Sequence, residues 1–413
     1  MAVVSVTIDS IAAGGDGVGR SSGLVVFVPR TAPADVVTAQ ISGKGHFARG
    51  NLTSIVTASP VRIEPPCPHY TRDKCGGCQL QHMTYDAQLA AKQLVIRDAI
   101  QRIGKRQIDA PAIERSPNDW RYRAKLTLTM RRRGSRWIAG LHPYDDPARI
   151  FALADCPITD RRVMAAWREV MEADAYFPDA KELRGSVRIT SDAATFVLIG
   201  GASWGARDQF AAAVPSLSAV WWEPDNRPRR LLFDKRRERA PSASFAQINA
   251  GMAEILRSYV LQRTRSYEPR SVVDAYAGAG HTAAALSDEG IKVTAIELDQ
   301  EAAHWSASHL REPSRSIQAR VEDALPGVLP ADVVILNPPR AGVDERIPAT
   351  LEAEAEHLRA VIYVSCNPAT LARDLARLPS YAIERIHAFD MFPQTAHVET
   401  VCDLRPAVGR SQP

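Results

Sequence analysis

The pattern of apolar and polar positions has three successive characters along the chain. Over the first 60 residues, short β-rich runs (VVSVTI, GLVVFV, DVVTAQI and NLTSIV) alternate with GGDG, PRTAPA and SGKGHFARG. Four or five short strands with turn signals at that spacing predict a small β-barrel over residues 1–60. Gly14, Gly15, Gly17 and Gly19 are expected to supply a positive-φ turn. After a proline-rich boundary from Pro60 to Pro68, apolar residues recur at helical spacing from about 83 to 103, with Gly104 as a C-cap. KLTLTM, WIAGLHP, RIFALADC, SVRITSD, ATFVLIG and LSAVWWEP then read as strands, interrupted by a helix around 160–172. The segment 61–240 is therefore predicted to be an α+β unit with a mainly antiparallel sheet. From about 241 the pattern becomes strand–helix alternation: SVVDAYAGAG, KVTAIELD, ADVVILNPP and AVIYVSCNP are buried-strand runs that end in polar residues. Residues 241–413 are predicted to form a doubly wound α/β sheet, whose ligands sit beyond the carboxyl ends of its strands.

Composition narrows the class. A chain of 413 residues exceeds one ordinary core. No run approaches the roughly 18 apolar residues of a membrane helix, so no membrane partner is expected. MAVVSVTIDS lacks a basic n-region and reads as a strand rather than a signal peptide, which points to the cytoplasm. Six cysteines in a reducing compartment suggest metal binding or catalysis rather than disulfides. The net charge of +4 divides unevenly: residues 1–60 carry +1, 61–240 carry +9 and 241–413 carry −6. The basic runs are 115–136, with eight cations against Asp119 and with Trp120 and Tyr122 interleaved, and 227–239, with seven cations. Cations mixed with aromatics suit phosphates and unpaired bases, so this module is expected to meet a polyanion.

The chemistry collects at predicted strand ends. Asp274-Ala-Tyr276-Ala-Gly278-Ala-Gly280 would let a backbone turn approach a ligand in front of a helix N-terminus. Glu297 closes the next strand, placed to accept two ribose hydroxyls, and Asp323 is a candidate acceptor for an exocyclic amine. With neither a P-loop lysine pattern nor GxGxxG, S-adenosylmethionine fits better than ATP or a dinucleotide. Asn337-Pro-Pro-Arg340 makes a rigid turn beside the acceptor, and with Asn first it also resembles the motif of amine methyltransferases. Cys366, in Ser365-Cys-Asn-Pro, can act as a nucleophile. Amine methylation needs none, whereas carbon-5 of uracil becomes nucleophilic only after a thiolate adds to carbon-6. Glu399, in Gln394-Thr-Ala-His397-Val-Glu399, is the candidate base that removes the carbon-5 proton. Cys402, inside an apolar run, reads as core. Cys67, Cys75 and Cys78, with Cys156 far downstream, form a soft ligand set for zinc or an iron–sulfur cluster, between which the spacing does not choose.

Taken together, these residues resemble the S-adenosylmethionine-dependent RNA uracil-5-methyltransferases, over essentially residues 1–405. The resemblance is greatest to members that act on 23S ribosomal RNA and begin with a TRAM domain, an RNA-binding barrel. It implies a [4Fe-4S] cluster on Cys67, Cys75, Cys78 and Cys156, carried by PPCPHYTRDKCGGCQLQH and ADCPIT. SFAQINAGM matches the segment in which Gln247 would contact S-adenosylmethionine and Phe245 would lie near the base. Tyr276, His281, Glu297 and Asp323 match cofactor-binding positions, joined in this reading by Gly278, Gly280 and Asn337. Arg340 falls on the substrate side, and Cys366 and Glu399 match the nucleophile and the base. The family usually has Asp where this chain has Asn337, which keeps an acceptor oxygen but loses the charge. The expected protein is a monomeric enzyme that methylates ribosomal rather than transfer RNA and does not act on DNA. An RNA amine methyltransferase and a non-catalytic RNA-binding protein remain the alternatives.

Overall fold

The computed structural model describes residues 2–43, 46–190, 193–236 and 247–407. The first five strands, Ala2–Ile11, Gly17–Ser21, Leu24–Val28, Val36–Ser42 and Phe47–Thr57, close into a barrel. Strand alternation points Val6, Ile8, Val26, Val28, Val37 and Ala39 inward, and closure leaves no free sheet edge. The glycine expectation needs correction. Only Gly15 of the four has positive φ, whereas Gly19 lies in a strand where a Cβ would meet the Thr7 carbonyl oxygen at 2.1 Å. Close backbone approach, not a turn, requires glycine there.

The second layer is a seven-stranded sheet. Its strands run in the order Arg230–Asp234, Leu217–Glu223, Ala194–Ile199, Glu182–Ile189, Lys125–Arg133, Arg136–Leu141 and Phe151–Ala152. All neighbouring pairs are antiparallel except Ala194–Ile199 with Leu217–Glu223. Leu126, Leu128 and Met130 pack with Val163, Trp167 and Val170 of the helix Arg161–Glu172. Period-2 alternation turns Lys125, Thr127 and Thr129 to the opposite face, where they pair with Arg188, Ser186 and Arg184.

The third layer is an eight-stranded sheet with a parallel core. Arg315–Gln318, Lys292–Glu297, Ser271–Ala275, Val333–Leu336 and Ala360–Ser365 run parallel. Glu399–Pro406 and Tyr381–Phe389 follow as antiparallel strands, and Ala112–Glu114 forms the edge. One buried face packs under the helix Ala250–Arg265, through Met252, Leu256 and Val260, and under His281–Asp288. The other is covered by Pro368–Ala376 and by the helix Tyr85–Arg102.

That last helix crosses the boundary expected from sequence. Residues 61–240 were expected to form the central unit, yet Ile96 and Ile100 are fully buried against the third sheet. Burial of each contributes about 1.5–3 kcal/mol. Lys92 of the same helix makes a buried ion pair with Asp390 at 2.5 Å. Among the described residues, no helix is long and apolar enough to cross a membrane.

Candidate active site

The first parallel strand ends at Ala275, and the turn behind it is built from left-handed backbone. Tyr276, Gly278 and Gly280 have φ of 60°, 56° and 74°. A Cβ on Gly280 would meet Ser306 Oγ at 2.1 Å, so this turn packs directly on the helix Gln300–Ala307. A Cβ on Gly278 would meet nothing within 4 Å, which leaves its backbone open to a ligand. Glu297 is held from both sides: its carboxylate accepts the Gly278 and Asp299 N–H groups at 2.8 Å each. A carboxylate has about four acceptor sites, so capacity remains for two hydroxyls. Asp274 is buried beneath the turn, and burial pushes its carboxyl up to about 7 although the Ala283 N–H opposes this. Its Oδ2 has no protein partner among the described residues. A buried polar atom without a partner costs free energy, which fits a site that receives a polar ligand.

The other cofactor-binding expectations sit around this turn in different states. His281 opens the following helix, and Asn337 donates its N–H to the Ala275 carbonyl at 3.2 Å with its side chain exposed. Asp323 is exposed and ion-paired to Arg346 at 2.8 Å, so its carboxylate is already partly engaged. The neighbouring Glu322 is more buried, and its charge helps hold the Tyr276 hydroxyl protonated behind the dominant effect of burial. Residue identity alone did not separate these two adjacent acids. Phe245 lies outside the described residues.

Cys366 follows the strand Ala360–Ser365, and Asn367 caps the helix Pro368–Ala376 by accepting the Ala369 N–H at 3.1 Å. The register supplies its partner. Ser365 pairs antiparallel with Thr400, so the next positions outward at the same edge are Cys366 and Glu399. Glu399 is 3% exposed. Burial pushes its carboxyl up to about 7, while a hydrogen bond to Gln247 and the charge of Arg340 pull the other way. Burial, followed by the Glu399 charge, also raises the Cys366 thiol above its ordinary value. A helix N-terminus and Arg340, which hydrogen-bonds to Cys366, favour the thiolate, but burial wins. The structure thus brings together the expected Cys366, Glu399, Gln247 and Arg340.

Arg340 is aimed by the helix after the cysteine. Asn367 Nδ2 and Thr370 Oγ1 donate to the Arg340 carbonyl at 3.4 Å, and Asp374 Oδ2 accepts the Val343 N–H at 3.1 Å. The nucleophile segment and the Asn337–Arg340 turn are one unit.

Cys67, Cys75, Cys78 and Cys156 line one cavity of about 130 Å³, with Arg123 and Asp155 at its wall. Among the described residues, no three His, Cys, Asp or Glu side chains close to the spacing of a single metal ion. Burial raises the thiols of Cys67, Cys75 and Cys78, with Cys75 at about 11. Thiolates there need a positive partner. Cys402 is a fully buried core residue, as its sequence context implied.

A wall of cations faces this edge. Arg123 bridges to Asn249, two residues from Gln247, and Ala124 N–H donates to Ile248 at 2.7 Å. Lys125 is half-buried, and its ammonium is pulled down to about 8 by burial and by Arg188, Arg229, Arg123 and Arg184. Among the described residues, no carboxylate lies within ion-pairing distance of Arg123, Lys125 or Arg184. Further along, Arg236 and Arg229 act on Glu301, in the first turn of the helix behind Glu297. The basic runs at 115–136 and 227–239 announced part of this wall. Arg184 and Arg188 were missed because they alternate singly along a strand.

The model of the tRNA (uracil-5-)-methyltransferase family matches residues 315–405, which contain both Cys366 and Glu399. An uncharacterized RNA methyltransferase of Gloeobacter violaceus is 35% identical, with 97% of this chain and 96% of the relative covered. The chain belongs to the RNA (uracil-5-)-methyltransferase family. A second such relative, an uncharacterized RNA methyltransferase of Halalkalibacterium halodurans, is 30% identical over 97% of this chain and 96% of its own length. The family fold also appears in the crystal structure of Pyrococcus abyssi tRNA (uracil-54, C5)-methyltransferase in complex with S-adenosyl-L-homocysteine. That match has a TM-score of 0.71 at 22% identity and covers 97% of this chain and 99% of that one. The protein is thus an RNA methyltransferase.

Proposed function

We propose that the protein transfers a methyl group from S-adenosylmethionine to carbon-5 of a uridine in RNA, with Cys366 as nucleophile and Glu399 as base. The carrying observation is the register that seats Cys366 beside Glu399 at the carboxyl edge of the sheet. S-adenosylmethionine, when bound, supplies the methyl. The open Gly278 turn, Glu297, Tyr276, Gly280, His281 and the orphaned Asp274 oxygen would hold it, with Asn337 and Asp323 at the rim.

The Cys366 thiolate adds to carbon-6, and the pair of electrons from the 5,6 double bond makes carbon-5 an enolate nucleophile. Arg340, beside both reacting side chains, favours the thiolate and offsets the developing negative charge. Once carbon-5 carries the methyl, it also carries a proton that must leave. Glu399 takes that proton, the electrons re-form the 5,6 double bond, and the carbon–sulfur bond breaks, which returns the thiolate. A base with a pKa near 7 is matched to this task near neutral pH. A stacked target base must be turned out to reach Cys366. The cation wall supports RNA as the substrate, since it is a concentration of positive charge that phosphates neutralise.

Ribosomal RNA is our preferred substrate, on the resemblance of the cysteine motif and barrel to the ribosomal members. Transfer RNA is the second reading, because the Pyrococcus abyssi enzyme shares this architecture over nearly its whole length. The four cysteines fit a [4Fe-4S] cluster as soft donors gathered on one cavity, where they would tie the segment 67–78 to Cys156. Anaerobic purification should give a brown protein with about four irons per chain, and stoichiometric zinc would overturn that assignment. The activity test is incubation with ribosomal and transfer RNA containing 5-fluorouridine. A covalent adduct that is lost in Cys366→Ala supports carbon methylation. A product methylated on nitrogen, with no adduct, refutes it and favours the amine chemistry that Asn337 suggested. We place the reaction in the cytoplasm.

A further inference from the structure

Nine residues, 390–398, connect the strand ending at Phe389 to Glu399, and segments from four other parts of the chain hold them. Asp390 pairs with Lys92, and its N–H donates to the Glu114 carbonyl at 2.9 Å. The Met391 carbonyl accepts from Asn249 Nδ2 at 3.3 Å, and the Pro393 carbonyl accepts from the Tyr122 hydroxyl at 2.9 Å. The densest set of contacts is at Gln394. Its side-chain Oε1 accepts from Gln88 Nε2 at 2.9 Å, and its own N–H donates to Gln88 Oε1 at 3.0 Å. Its carbonyl accepts the N–H groups of Gln79 and Leu80 at 3.2 and 3.0 Å. Gln79 Oε1 then accepts the Ala396 N–H at 3.2 Å. Gln394 is 2% exposed and has φ of 69°, a left-handed conformation that a non-glycine residue keeps only where its surroundings over-determine it.

Gln79 directly follows Cys78, the third cysteine of the cavity. The cysteine-bearing segment therefore grips the loop that delivers Glu399, through main-chain bonds on one side and a side-chain amide on the other. The barrel adds to the grip, since a Cβ on Gly15 would meet Gln79 Cβ at 2.5 Å and Ala396 Cβ at 3.1 Å. Beyond Ala396 the chain runs through the buried Val398 into Glu399, whose backbone position is inherited from this loop.

We propose that Gln79, Gln88 and Gln394 form a latch that positions Glu399 for proton removal, so that the cysteine segment acts on the base step and not on nucleophilic attack. The inference rests on the uracil-methylation reading. The three glutamines are positioning residues, because none of them needs to touch the uracil. A misplacement of the base by about 1 Å can cost on the order of a hundredfold in rate.

The test compares Gln79→Ala and Gln79→Glu with the wild-type protein. Glutamate at position 79 keeps the oxygen that accepts the Ala396 N–H and loses only the Nε2 donor to the Gly76 carbonyl, which lies on the cysteine segment itself. Adduct formation with 5-fluorouridine RNA stops before proton removal, so its rate should be unchanged in Gln79→Ala. On ordinary uridine RNA the same variant should turn over at least about tenfold more slowly. A covalent enzyme–RNA species, visible as a shifted band on a denaturing gel, should then accumulate. Gln79→Glu should restore most of the turnover and remove the band. Iron content measured beside each assay should equal that of the wild type. Parallel loss of adduct formation and turnover, or unchanged turnover, overturns the latch. Absence of any adduct in the wild-type protein overturns the parent reading instead.

Discussion

Replacing Glu399 by glutamine should inactivate the enzyme and stabilise the protein, and the two effects have one cause. The carboxyl is buried, and burial outweighs the opposing contributions of Gln247 and Arg340 to raise it from an ordinary 4.5 to about 7. That difference corresponds to roughly 3 kcal/mol between the protonated and charged forms. The folded chain holds this proton more tightly than the unfolded chain does. Below pH 4.5 the carboxyl therefore costs the fold almost nothing, since both states are protonated. The cost grows as pH rises from 4.5 to 7 and reaches its full value above 7. Glutamine keeps the shape and carries no charge. Urea unfolding should find Glu399→Gln more stable than the wild type by up to ~3 kcal/mol at pH 8 and by less than ~1 kcal/mol at pH 5. Turnover should fall by a factor on the order of 10² to 10⁴, the usual worth of a general base. A variant no more stable than the wild type at pH 8, or a stability difference that does not vary with pH, would refute the argument.

Other perturbations probe the remaining parts of the structure. Lys125→Gln and Arg184→Gln should each weaken RNA binding and lower the slope of log affinity against log salt by about 1, and an unchanged slope would remove them from the phosphate path. Gly280→Ala places a Cβ against Ser306 Oγ at 2.1 Å in left-handed backbone. It should cost about 1–3 kcal/mol and weaken S-adenosylmethionine binding in equilibrium dialysis. Lys92→Met leaves Asp390 buried and unpaired and should destabilise by about 3–5 kcal/mol, with much of the loss recovered in the double variant Lys92→Met/Asp390→Asn. If the single and double variants melt together, the pair is not an energetic unit.

Much of the architecture was readable because each segment's own apolar pattern reports its burial. Four of the five barrel strands, the helix near 160–172 and the parallel strands Ser271–Ala275, Lys292–Glu297, Val333–Leu336 and Ala360–Ser365 stand where their periodicities placed them, whereas Gly17–Ser21 was read as a turn. What that pattern does not report is the partner. The helix Tyr85–Arg102 has an apolar stripe wherever it docks, and only the folded chain shows that Ile96 and Ile100 belong to the third sheet. Asp323 and Glu322 are equivalent in sequence and both pair with Arg346, and only their burial, which leaves Glu322 much the less exposed, distinguishes them. Lys125 and Arg184 look like ordinary strand residues until the register sets them on one face with Arg188, where the acid of that face, Glu182, is paired to Arg131 instead.

By itself, the sequence determined which groups are available for chemistry: a thiol before a helix, a carboxylate after a loop, a glycine turn before an acid, and four more thiols. Tertiary structure decided what those groups are. An antiparallel strand inserted beside Ala360–Ser365 brings Glu399 to Cys366, and burial there moves both of their proton affinities upward. Proton affinity depends on the dielectric and charges supplied by distant segments. It becomes a property of Cys366 and Glu399 only once Gln247, Arg340 and the loop at Gln394 have closed around them.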